Sequence, residues 1–522
     1  MQNKAHHNLH LCLGVLKEML TAGVREFCVC AGARNAPVVA QLEATEGIQI
    51  HSFFDERAAG FFALGRIRAS SRPVAVVTTS GTAVAETLPA VIEGYYQGLP
   101  LLVLSADRPK RFRGTGAPQA IEQIGLFSSY VENTVDIEGN LEGFSLTNWS
   151  QRRPIQVNLC LEEPAGPQPT ETLVAPALLS DGLGARSGFT AFLAVEPLQK
   201  PVVIVGPLQN DERPFVEEFL KKNSVVFVAE APSSLSLDEQ TLSRRIWCAE
   251  KTLSKGFANG SFASVLRLGG VPTLRFWRDL EEKYAAVPVV SCSNQAFSGL
   301  SRPVRHLCGA VHLAHVQLAE PMNLTAVLQE DRETFERLLI LLQKYPQSEA
   351  SLVREFARAT ADQQVYLGNS LPIREWDLVS GDLMASNVWA NRGANGIDGQ
   401  ISSFLGWTAE RGAPAWALIG DLTALYDLSS LWISKSLEVR PRRIVILNNQ
   451  GGQIFKPMFK REIFLNRHDL NFESWAEMWG WSYLSSRDGG VFHSNSLAHD
   501  QVLEIFPDEK SSDSFSQEWK AL

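Results

Sequence analysis

The sequence predicts an α/β protein of three domains, each a parallel sheet flanked by helices. Two observations point there: short apolar runs of strand length alternate with helical patterns along the chain, and strand after strand ends in a turn of small or polar residues. A third is length, since 522 residues exceed what one ordinary core accommodates. The expected domains are 1–165, 180–330 and 345–522.

In the first region, Leu9 to Ala22 has helical periodicity and Glu26 to Cys30 reads as a strand. That strand ends in Ala31-Gly32-Ala33-Arg34-Asn35-Ala36-Pro37, a turn opening another helix. Gln49 to Phe54 runs as a strand into Asp55-Glu56-Arg57. Val74 to Thr78 is a buried strand ending at Thr79-Ser80-Gly81-Thr82, with a helix following to about Tyr95. Leu101 to Ser105 is the next strand, ending in Ala106-Asp107-Arg108-Pro109.

Pro164 to Pro176 is rich in proline and polar residues and reads as a linker. In the middle region, Val202–Val205, a helix over 214–222 and Val225–Val228 form one βαβ unit. Val265–Leu268, a helix over 272–284 and Val287–Ser291 form another. Few polar residues cluster there, and Leu268-Gly269-Gly270 falls short of a dinucleotide fingerprint. Thr334 to about Ala361 is mostly helical and leads to the third domain.

That domain opens with Val365–Leu367 running into Gly368-Asn369-Ser370, followed by the dense turn signal Asn391-Arg392-Gly393-Ala394-Asn395-Gly396-Ile397-Asp398-Gly399. Ala415 to Ile419 is a buried strand cut by Gly420-Asp421. A helical pattern follows, with Leu422, Leu425, Leu428, Leu431 and Trp432 on one face. Ile444 to Leu447 is a second strand, ending in Asn448-Asn449-Gln450-Gly451-Gly452. The tail after Asp508 is polar and expected to fray.

Parallel strands place Asp421 and Asn449 at neighbouring carboxyl ends, the edge where open α/β sheets bind ligands. A carboxylate, an amide oxygen and a backbone carbonyl, completed by phosphate oxygens, suit Mg²⁺. The helix N-terminus after Asp421 suits a phosphate. Gly-Asp by itself reads as a helix cap, and Asn-Asn-Gln-Gly-Gly as a turn. The two together, bracketing one βαβ unit, read as a site for Mg²⁺ and a diphosphate.

Composition is that of a soluble globular protein, 45% hydrophobic and 20% charged, and a net charge of −9 argues against nucleic acid as the main partner. No apolar run is long enough to span a bilayer, and no signal peptide is apparent. The seven cysteines are scattered without a C-x-x-C pair, which fits a reducing cytoplasm.

Phe54-Asp55-Glu56-Arg57, Thr79–Ala85, Ala106–Pro109, Gly368–Leu371, Asn391–Gly399, Gly420–Leu428 and Asn448–Phe455 together resemble one family of thiamine-diphosphate-dependent enzymes. These are the 2-succinyl-5-enolpyruvyl-6-hydroxy-3-cyclohexene-1-carboxylate (SEPHCHC) synthases of menaquinone biosynthesis. The resemblance covers the first and third domains almost throughout and the middle domain weakly. The general Gly-Asp-Gly signature of thiamine enzymes reads Gly420-Asp421-Leu422 here. The resemblance implies the thiamine-diphosphate-binding fold and decarboxylation of 2-oxoglutarate with 1,4-addition of the four-carbon fragment to isochorismate. It further implies thiamine diphosphate with Mg²⁺ (or Mn²⁺) as cofactors, and a cytoplasmic homodimer or homotetramer with active sites between subunits.

On the same basis, Glu56 would be the catalytic residue, bonded to the cofactor's pyrimidine. Asp421, Asn449 and the Gly451 carbonyl would hold the metal. Gly420, Leu422, Thr423, Gly452 and Gln453 would contact the diphosphate, and Ile397 would lie beneath the cofactor as an apolar wedge. Arg34, Arg108, Gln119, Arg275, Ser370, Arg374, Arg392 and Phe455 would form the substrate pocket, arginine being suited to two-pronged carboxylate binding. Two departures, Ala33 for a serine and Pro118 for an asparagine, fall in this pocket. The rival readings are another thiamine-dependent 2-oxo acid carboligase, which would want fewer arginines, and an inactive relative, which would need none of Glu56, Asp421 and Asn449.

Overall fold

The computed structural model describes residues 2–163, 171–177, 197–295, 297–319, 324–383, 387–410, 412, 414–437, 441–459, 461–493 and 499–522. The chain divides into two compact units. One comprises Met1–Arg186, Gly393–Arg411 and Tyr426–Glu438; the other comprises Ser187–Arg392, Gly412–Leu425 and Val439–Leu522.

The first unit is built on a six-stranded parallel sheet in the order Gln49–Phe53, Glu26–Cys30, Val74–Thr78, Leu101–Asp107, Ile155–Cys160, Thr134–Ile137. Its central strands are buried at every position, as continuous runs of Val, Ala and Leu require when helices cover both faces. The strand Leu101–Asp107 runs two residues past the expected end. Asp107 is stabilised there by accepting from the Arg108 N–H (2.7 Å), Asn158 Nδ2 (3.1 Å) and Arg113 Nη2 (3.2 Å). The strand Ile155–Cys160 alternates apolar and polar residues as a half-exposed strand does, yet it is buried at every position. Its Gln156 and Asn158 are buried and bond to Ser105 and Gln123. The helix Glu56–Ser70 packs on Gln400–Thr408 through glycines: a Cβ on Gly65 would lie 2.2 Å from the Ser403 carbonyl oxygen, and one on Gly406 2.2 Å from that of Phe62. Most of the expected linker lies outside the described residues. Within it, Leu173–Val174 pairs in parallel with Thr45–Glu46 as a small second sheet.

The second unit holds two parallel sheets. One runs Phe227–Ala229, Pro201–Val205, Ser264–Leu268, Val289–Ser293, Arg305–Cys308. The other runs Val388–Trp389, Gln364–Leu367, Ala415–Gly420, Arg442–Leu447, Gln501–Ile505, Ser482–Ser486. The first of these domains is less apolar inside than its sequence suggests. Glu212 and Arg267 are buried within electrostatic range of each other, and His306 is pushed down to about 4 by burial and the nearby Arg267 charge. Helices Thr325–Lys344 and Glu349–Ala359 fill the segment expected to be helical.

In the second sheet Ala415–Ile419 are all buried, and full burial of a leucine or isoleucine side chain stabilises by about 1.5–3 kcal/mol. Two expectations fail nearby. The pattern from Leu422 to Trp432 is not one helix: it runs from Asp421 to Tyr426, and a 3₁₀ segment spans Ser430–Ser436. Asp427 breaks it, because its buried carboxylate accepts from the Gly399 and Ile401 N–H groups rather than facing solvent on a helix. The tail does not fray either. Glu509–Ala521 is a helix capped by Asp508, which accepts from the Ser511 N–H (2.7 Å), and Phe515 inserts into the core. All seven cysteines are free; six are buried, and Cys308 alone is exposed. Among the described residues no helix is long and apolar enough to cross a membrane.

Candidate active site

Gln364–Leu367, Ala415–Gly420 and Arg442–Leu447 are adjacent and parallel. Their carboxyl ends therefore bring Gly368-Asn369-Ser370, Asp421 and Asn448–Gly452 to one sheet edge. Asp421 is 2% exposed. Its Oδ1 accepts from the Leu422 N–H (2.6 Å) and its Oδ2 from the Gly451 N–H (2.9 Å). Burial raises its pKa, and those N–H groups oppose the rise. Gly451 has φ +135°, and a Cβ there would stand 2.4 Å from the Leu465 carbonyl oxygen, so only glycine fits. Gln453 Nε2 donates to the Asn449 carbonyl (3.1 Å). Thr423 is buried beside Asp421, Leu422 is half-buried, and a Cβ on Gly420 would meet nothing within 4 Å.

The Asn449 side chain is held at one end only. Its Nδ2 donates to Glu349 Oε2 (2.8 Å), while its Oδ1 is buried without a hydrogen-bond partner. An orphaned amide oxygen beside a buried carboxylate is a donor set that a hard cation would satisfy. Two neighbours were not anticipated. Glu349 lies against Glu375, and burial raises both carboxyl groups, each further raised by nearby carboxylate charge. His468 Nε2 lies 3.3 Å from Asp421 Oδ2, brought there by a loop far along the chain. Nothing in the local spacing marks either residue.

Ser370, Arg374 and Arg392 lie at the same edge. Ser370 has φ +75° at the start of the helix Leu371–Val379, and its carbonyl accepts from Arg374 Nη1 (2.6 Å). Arg392 Nη1 donates to Asn369 Oδ1 (2.6 Å). Partial burial and the charges of Arg392 and Arg278 make the Arg374 proton easier to lose. Such a concentration of positive charge suits an anionic ligand. Arg275 is exposed at the first turn of the helix Arg275–Glu282, and Arg278, one turn on, is the residue whose charge bears on Arg374. That helix is anchored by buried Glu230, whose Oε1 accepts from the Thr273 (2.5 Å) and Leu274 (3.1 Å) N–H groups. Phe455, in the 3₁₀ turn Gln453–Phe455, is largely exposed.

In the first unit, Glu56 opens the helix Glu56–Ser70 at the carboxyl end of Gln49–Phe53. Its neighbours are committed elsewhere. Asp55 caps the helix by accepting from the Ala58 N–H (3.0 Å) and bonds Ser429 Oγ. Arg57 donates to the Tyr426 carbonyl (2.7 Å) and stands 3.8 Å from Asp427. Arg57 therefore does not pair with Glu56, although the sequence Asp55-Glu56-Arg57 also allows a salt-bridged glutamate. Burial, helped by Asp55 and Glu86, raises the Glu56 pKa.

Arg34 and Arg108 lie at the same edge of that sheet. Arg34 is buried, donating to the Leu161 carbonyl (3.1 Å) and to Glu163 (3.0 Å). Arg108 Nε donates to the Pro118 carbonyl (2.9 Å), an acceptor that proline retains. Gln119, at φ +54°, lies over Gly81. The loop bearing Ile397 is pinned at both ends by carboxylates. Glu93 accepts from the Gly393 (2.7 Å) and Ala394 (2.6 Å) N–H groups, and Asp427 from those of Gly399 (2.7 Å) and Ile401 (3.0 Å). A lone glutamate within the apolar helix Leu88–Gln97 was the available signal for Glu93.

Residues 14–126 match the family model described as thiamine pyrophosphate enzyme, N-terminal TPP binding domain. With parallel-sheet domains and ligand-type residues at their carboxyl edges, this defines a thiamine-diphosphate-binding enzyme. Longer matches narrow the class. The 2-succinyl-5-enolpyruvyl-6-hydroxy-3-cyclohexene-1-carboxylate synthase of Bdellovibrio bacteriovorus is 44% identical, with 99% of each chain covered. Proteins of that name from Akkermansia muciniphila and Shewanella amazonensis are 38% identical (96% of each chain covered) and 30% identical (92% of this chain and 90% of the relative). The chain belongs to the SEPHCHC synthase family.

Proposed function

We propose that the protein decarboxylates 2-oxoglutarate and adds the resulting four-carbon fragment 1,4 to isochorismate, releasing carbon dioxide, as a step of menaquinone biosynthesis. The observation that carries this reading is buried Asp421 and the orphaned Asn449 Oδ1 at the carboxyl ends of neighbouring strands, in a chain matching synthases of that name over nearly its whole length.

Thiamine diphosphate, when bound, supplies the electron sink for decarboxylation. Asp421, Asn449 Oδ1 and the Gly451 carbonyl would hold Mg²⁺, or Mn²⁺ in its place. Gly420, Leu422, Thr423, Gly452 and Gln453 would receive the diphosphate, and Ile397 would support the cofactor from a loop fixed by Glu93 and Asp427. Glu56, whose carboxyl pKa is raised by burial, is suited to exchanging a proton with a ring nitrogen. Arg34, Arg108, Arg275, Arg374 and Arg392, with Gln119, Ser370 and Phe455, would recognise the substrates' carboxylates.

The boundaries 1–165, 180–330 and 345–522 are our domain assignment. Exposed Phe455, Met458, Phe459, Ile463 and Phe464 support a homodimer or homotetramer in which a second copy covers them. Free cysteines support a cytoplasmic location.

The test is to mix purified protein with thiamine diphosphate, Mg²⁺, 2-oxoglutarate and isochorismate, following isochorismate absorbance and product mass. Loss of isochorismate with formation of the adduct is expected. No turnover in this mixture, with pyruvate consumed instead in a parallel reaction that supplies it, would overturn the assignment.

A further inference from the structure

Glu349 lies a hundred positions before Asn449 and opens the helix Glu349–Ala359, where it is 4% exposed. Three contacts fix it. Its N–H donates to Ser512 Oγ (3.0 Å), its Oε2 accepts from Asn449 Nδ2 (2.8 Å), and its carboxyl group lies against that of Glu375 on the helix Leu371–Val379. The two ends of an asparagine amide differ: one donates and the other accepts. With Nδ2 bound to Glu349, the planar amide must turn Oδ1 the opposite way, and that oxygen is the buried atom left without a partner. Flipping the amide would set oxygen against carboxylate, two acceptors face to face, and leave an NH₂ where a cation is to bind.

We propose that Glu349 is a positioning residue for the cation–diphosphate site, holding the Asn449 amide by its NH₂ so that Oδ1 is presented to the metal. This rests on the reading of Asn449 as a metal ligand. Glu349 does not touch the cation. It fixes which atom of Asn449 does, as outer partners of metal ligands commonly do. The Ser512 contact ties the Glu349 backbone to the C-terminal helix, and Glu375 on the helix Leu371–Val379 flanks its carboxyl group, so both anchors lie outside the Asn449 loop.

The test measures metal affinity directly, by Mn²⁺ electron paramagnetic resonance and by Mg²⁺-dependent thiamine diphosphate calorimetry on the full-length protein. Glu349→Ala and Glu349→Met, the second filling the space without an acceptor, should weaken the metal about 10- to 100-fold. Glu349→Gln, whose amide oxygen can accept the same hydrogen bond, should stay within about threefold. In an Asn449→Ala background, Glu349→Met should cause little further loss, because nothing remains to be oriented. A general structural role would instead give losses that add in full, and that result overturns the proposal. So does unchanged metal affinity in both Glu349→Ala and Glu349→Met. Failure of the wild-type protein to bind the metal with the cofactor overturns the site reading itself, and this inference with it.

Discussion

Replacing Gly451 by alanine keeps the carbonyl oxygen proposed as a metal ligand and alters only the space around Cα. At φ +135° the backbone is one that L side chains rarely adopt, a strain of about 1–3 kcal/mol. The new methyl would stand 2.4 Å from the Leu465 carbonyl oxygen, well inside ordinary contact. That oxygen accepts from the Gly452 N–H at 2.6 Å, so moving it also weakens a hydrogen bond worth about 0.5–1.5 kcal/mol. The sum is about 1.5–4.5 kcal/mol. Where the loop is held in place, the loss appears as stability. Where it relaxes, it appears as cofactor affinity, by about 10- to 2,000-fold if all of it falls there. Denaturant unfolding of the cofactor-free protein and calorimetric titration with thiamine diphosphate and Mg²⁺ measure the two parts. Gly420→Ala is the contrast: its methyl meets no protein atom within 4 Å, so stability should hold within about 0.5 kcal/mol while cofactor affinity falls. Gly451→Ala with both quantities unchanged would refute the argument from backbone geometry.

Glu56→Gln should bind thiamine diphosphate normally yet lose activity by about 10²- to 10⁴-fold; near-normal turnover would reject its role in proton exchange. Asp427 predicts a pH dependence. Burial pushes its carboxyl up to about 7, above the unfolded value of about 3.9, so the folded protein keeps a proton the unfolded chain has released. The stability this contributes is fully present below about pH 4 and is lost as pH rises through about 7. The advantage of wild type over Asp427→Asn in denaturant unfolding should therefore shrink between pH 5 and pH 8, by up to about 3 kcal/mol. An advantage constant across that range contradicts the assignment.

What the sequence made legible was local. Val74–Thr78 and Ala415–Ile419 could be placed because apolar runs on strands buried on both faces end abruptly at polar turns, and the turn is where a ligand-facing residue must stand. Ile155–Cys160 was not placed although its residues alternate apolar and polar; what the sequence hides is that Gln156 and Asn158 are buried, satisfied by partners on another strand and a distant loop. Among candidate site residues, Asp421 and Asn449 announce themselves by type and position. Glu349 and His468 do not, since what matters is which side chain meets them, and those contacts span 100 and 47 positions. The helix after Asp421 was misjudged for a related reason: leucine spacing cannot register a carboxylate drawn inward by two backbone N–H groups.

The distribution of thiols has a practical use. Cys12, Cys160 and Cys292 are buried, and burial pushes each up to about 12, while Cys28, Cys30 and Cys248 are buried as well. A maleimide dye applied briefly near neutral pH should meet one accessible sulfur, Cys308 at the end of the edge strand Arg305–Cys308. The unaltered protein thus carries its own single attachment point, on the sheet that holds none of the proposed metal ligands. A fluorophore there could report what that sheet does when substrate arrives, without a mutation and without touching the chemistry.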